Sequence, residues 1–71
     1  MSVYKVVQLV GTSPDSWGDA AKTAVDRASQ SLRDLRIATV DTLDLVIEDG
    51  EVTTFRAKVD LSFRYEDGPG E

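Results

Sequence analysis

The sequence predicts an α+β subunit of order β-α-β-β, a three-stranded antiparallel sheet packed on one helix. Three observations carry this. A run rich in β-branched and aromatic residues opens the chain (Val3–Val10). Apolar residues then recur at helical spacing from Trp17. After Asp49-Gly50, apolar and polar residues alternate one for one through Tyr65.

The first strand, VYKVVQLV, should end at Gly11. Ser13 is a good helix N-cap with Pro14 at the first helical position, where a missing N–H costs nothing. Ser16, three residues before Asp19, is an alternative cap. Apolar positions 17, 20, 21, 24, 25, 28, 32 and 35 follow one helix face. Four of them are alanines, which lets the helix lie close to a sheet, and the period changes near Asp34-Leu35-Arg36, where the helix should stop.

Residues 36–47 and 52–65 read as two long strands joined at Glu48-Asp49-Gly50-Glu51. Asp-Gly favours a tight hairpin because Gly accepts the positive φ such turns need. In the last strand Phe55, Ala57, Val59, Leu61 and Phe63 should face the helix, with Arg56, Lys58 and Asp60 behind. The near-contiguous Leu43, Leu45, Val46 and Ile47 suggest a bulge or burial on both faces. The organisation is then a domain over residues 1–65 and a flexible tail over 66–71.

Composition bounds the function. The chain has 71 residues and neither Cys nor His. A lone domain of this size buries only about 60 % of its unfolded surface, and small units add disulfides, metals or subunits. Disulfides and Cys/His zinc sites are excluded, so self-association or a carboxylate-held cation remains. Triads, thiol nucleophiles and imidazole acid–base chemistry are excluded too, and no enzyme is expected. The net charge is −5. Residues 1–36 hold a net +1 and residues 37–71 a net −6, which argues against nucleic acid as a partner. No run is long enough to cross a membrane as a helix, and Met1–Val10 is no signal peptide, so a cytoplasmic protein is expected.

The sequence resembles the dodecin family over nearly its whole length. The resemblance rests on Gly11-Thr12-Ser13 before the helix, Ala20-Ala21 near its start, the stretch Arg27–Leu35, and the closing Lys58-Val59-Asp60-Leu61-Ser62-Phe63-Arg64. It implies a hollow homododecamer. In flavin-binding members it resembles, a Trp at the start of the second strand stacks on isoalloxazine rings and a Gln in the third strand bonds the ring edge. The positions matching these are Ile37 and Arg56. Ile offers no aromatic face and Arg only donors, so ordinary binding of FMN, FAD or riboflavin is not expected. The opening MSVYKV and Gly-Thr-Ser-Pro-Asp-Ser-Trp are similar to a subgroup without the flavin Trp, which includes a calcium dodecin.

The resemblance implies a dodecameric small-ligand binding or storage protein. The alternatives are a calcium-binding variant and a structural shell with no dedicated ligand. Ile37 and Arg56 are the candidate ligand contacts. Asp41, Asp44, Glu48 and Asp49 are the candidate cation ligands, since hard cations take carboxylate oxygens. Asp41 and Asp44 lie on opposite faces of a regular strand and need a bulge to share an ion, while Glu48 and Asp49 also read as an ordinary polar turn. Arg56 either binds an anion or pairs with Asp44 or Asp41. Trp17 reads as a packing or interface anchor.

Overall fold

The computed structural model describes residues 1–64. Strand β1 (Tyr4–Ser13), helix α1 (Trp17–Ala28), strand β2 (Leu35–Glu48) and strand β3 (Glu51–Arg64) follow in the predicted order. β3 lies centrally, antiparallel to both neighbours, in the order β1-β3-β2. Tyr65 and the expected tail, 66–71, lie outside the described residues.

Two element boundaries differ from the sequence reading. β1 runs through Gly11 and Thr12 to Ser13. Ser16 is the N-cap, its Oγ accepting from the Asp19 N–H at 3.0 Å. Ser13 instead takes the Asp15 N–H on its own Oγ (3.0 Å), shaping the turn into the helix. The helix ends at Ala28, not near residue 35. Leu32 and Leu35 still pack on the core from beyond the helix, so their spacing mimics two further helical turns. Asp34, at φ 59°, turns the chain into β2.

The core is a single layer between α1 and the sheet. Ala20, Ala24 and Ala28 meet Ala57, Val59 and Leu61 of β3, all buried. Small residues bring the two backbones close, and at Gly11 of β1 there is no room for a side chain against the Ala20 backbone. A helix of 12 residues is ~18 Å long, whereas a strand of 14 residues reaches ~47 Å. The helix rests on β1 and β3 and hardly touches β2. The Cα radius of gyration, 14.8 Å, exceeds the ~11 Å of a compact chain of this length.

The β2–β3 pairing shifts register in three places: β2 carries an extra residue at Arg36 and at Asp41, and β3 carries one at Thr53. In the apolar run Leu43 and Leu45 oppose Ala57 and Phe55 on the helix side while Val46 opposes Thr54 on the other face, and the extra residue at Asp41 lies just before it. Val40 opposes Val59 and Leu43 opposes Ala57, so both face the helix side despite an odd spacing. The hairpin tip has Asp49 at φ 52° and Gly50 at φ 78°, the pair of positive values of a type I′ turn. No described helix is long and apolar enough to cross a membrane.

Candidate functional site: the open face of the sheet

Directly opposed residues of an antiparallel pair share a face. The pairs Asp44–Arg56, Thr42–Lys58, Thr39–Asp60 and Ile37–Ser62 therefore lie together on the face away from α1. Gln8 and Val10 of β1 join them opposite Asp60 and Lys58. The sequence reading of Arg56, Lys58 and Asp60 as one face agrees with this register.

Arg56 is paired, not open. Its Nε donates to Asp44 Oδ1 at 2.7 Å and its Nη2 to Asp44 Oδ2 at 2.9 Å, a two-pronged fit between planar groups. Hydrogen bonding from Arg56, helped by its charge and opposed by some desolvation, lowers the Asp44 pKa below its ordinary value. The same bonds raise that of Arg56. Asp44 is held from a second side, because Trp17 Nε1 donates to its backbone carbonyl at 3.0 Å. The Trp17 ring stands edge-on to Phe55, centroids 5.4 Å apart. Trp17 thus ties the start of α1 to both hairpin strands.

The extra residue at Asp41 is the bulge that Asp41 and Asp44 need in order to share a face. Gln8 Nε2 donates to Asp60 Oδ1 at 2.7 Å and lies 3.4 Å from Asp41 Oδ2, so Asp41 also belongs to the open face. Gln8 and Asp60 were not singled out by sequence, although a Gln inside an apolar strand was a signal that its side chain has a polar task. Glu48 and Asp49 sit at the hairpin tip, Glu48 opposite Glu51, about 13 Å along the strand from Asp44. Among the described residues no three carboxylates converge as a metal site would require.

Ile37 and Arg56 are not brought together within one chain. Ile37 opposes Ser62, six residues along β3 from Arg56, a separation of ~20 Å. A site that uses both is not formed within the single subunit, where Ile37 is 57 % exposed.

A family model described as Dodecin matches residues 3–66. Calcium dodecin of Mycobacterium tuberculosis is 45 % identical over 64 residues, covering 90 % of each chain. A solved dodecin from Streptomyces coelicolor superposes with a TM-score of 0.89 at 42 % identity, covering 94 % of this chain and 96 % of the other. The crystal structure of the Mycobacterium tuberculosis calcium dodecin, described as calcium chelating with a novel calcium-binding site, gives 0.81 at 43 % identity over 94 % and 96 %.

Proposed function

The chain belongs to the dodecin family, and on that footing we propose that it is a non-enzymatic, homododecameric binding protein whose ligand is calcium rather than a flavin. Ile37 carries this reading. At the position matching the family's flavin-stacking Trp, it presents an exposed aliphatic surface with no ring to stack on. The 45 % identity to a calcium dodecin supports the choice of cation, as does the net −6 of residues 37–71.

Self-association is supported by the apolar surface that one chain leaves open. On the helix side of β2, Val40 and Leu43 are 48 % and 47 % exposed, and Ile47 at the tip is 63 % exposed. Such a row on a soluble chain marks a surface meant for a partner. Repetition by symmetry would then gather copies of one carboxylate, giving an ion the six to eight oxygens a single subunit lacks. The cytoplasm is the compartment proposed for it, as a chain without Cys permits.

Native mass spectrometry of the protein as isolated tests assembly and retained ligand together. Twelve chains, and a thermal midpoint raised by millimolar Ca²⁺ in 150 mM NaCl, are expected. A monomer would reject the assembly; no shift with Ca²⁺ would reject the cation. A yellow preparation with quenched flavin fluorescence would restore the flavin.

A further inference from the structure

We propose that Asp44 sets the charge specificity of the open sheet face, acting as a built-in anion that occupies Arg56 and keeps small oxyanions such as phosphate from binding there. A guanidinium is a two-pronged donor suited to carboxylate or phosphate oxygens. Here both prongs are taken by one carboxylate, at 2.7 and 2.9 Å. The partners are opposed across β2 and β3, so the backbone ladder itself sets them side by side. Asp44 is further steadied from the helix side by the indole N–H of Trp17 on its carbonyl. A phosphate would have to displace a tethered, pre-oriented competitor whose effective concentration far exceeds that of a free anion.

What Asp44 masks is a cationic pair. Lys58 lies two residues along β3 on the same face, about 7 Å from Arg56, and makes no ion pair among the described residues. Without the Asp44 charge, Arg56 and Lys58 stand as adjacent cations flanked by Thr12, Thr42 and Thr54, hydroxyl donors at neighbouring positions of the three strands. That composition suits an oxyanion. One aspartate cancels the Arg56 charge, and this holds whether or not the assembly carries calcium.

The test is titration of inorganic phosphate into the assembled protein by calorimetry at low ionic strength and neutral pH. Wild type should show no saturable binding. D44A should bind at least tenfold more tightly than wild type, D44N should also gain affinity, and the gain should vanish in D44A/R56Q. Equal phosphate affinity in wild type and D44A would overturn the proposal. So would no gain in either Asp44 variant, or a gain that survives removal of Arg56. Should D44A fail to assemble, D44N decides alone. Calcium titration of wild type reports separately on the cation reading, so the two can fail independently.

Discussion

Gly11 of β1 passes directly beneath Ala20 of α1, so closely that a side chain on Gly11 would overlap the Ala20 carbonyl oxygen and crowd the Ala24 methyl at 3.1 Å. The obstacle is helix backbone, which cannot rotate aside as a side chain could. Ala20 and Ala24, which Gly11 meets, belong to the buried core, and Ala57 of that core opposes Gly11 across the sheet.

Gly11→Ala should therefore lower stability by about 2 kcal/mol, within the range for overpacking a tight core. A thermal or denaturant melt of the assembled protein checks it. A wild-type midpoint would mean that the helix can lift from the sheet freely.

Trp17 is the chain's single Trp. Trp17→Phe retains a ring against Phe55 but removes the donor to the Asp44 carbonyl. A loss of about 1 kcal/mol is expected, the usual net value of such a bond. In wild type, Trp17 fluorescence should change on unfolding in step with circular dichroism, since the indole links α1 to the hairpin. Separate transitions would contradict that link.

The Asp44–Arg56 pair gives stability a direction with pH. The Asp44 pKa is lower in the folded chain than its ordinary value. Its contribution is present above the ordinary carboxylate value and is lost as pH falls through the lowered one. The acid limb of a melting curve against pH should be shallower in D44N than in wild type, at low ionic strength most clearly. Added salt should shrink the difference, as for any exposed pair.

Leu43→Asp places a charge on the helix-side row of β2, at a position half exposed in the single subunit. Native mass spectrometry should show smaller species than wild type. Intact wild-type assemblies would show that this row faces solvent in the complex.

The β-α-β-β order was legible because it rests on local signals: alternation at period two, an i, i+3, i+4 apolar face and an Asp-Gly turn. Where reading failed, contacts between distant residues had decided. The helix stops at Ala28 although the apolar spacing runs on, since Leu32 and Leu35 reach the same core from the following turn. Ser13 is claimed by β1, whose pairing with β3 extends to Phe55 and leaves the capping to Ser16.

The same division runs through the candidate site. Composition alone excluded thiol, imidazole and disulfide chemistry, and the residue types at 37 and 56 stood against flavin stacking before any fold was known. Whether Arg56 binds an anion or pairs with Asp44 or Asp41 stayed open until the register set Asp44 opposite it. The bulge at Asp41 likewise shifted one carboxylate to the other face, beside Gln8. Side-chain type is written in the chain, but which face it occupies depends on register, and register is set by pairing between strands far apart in sequence.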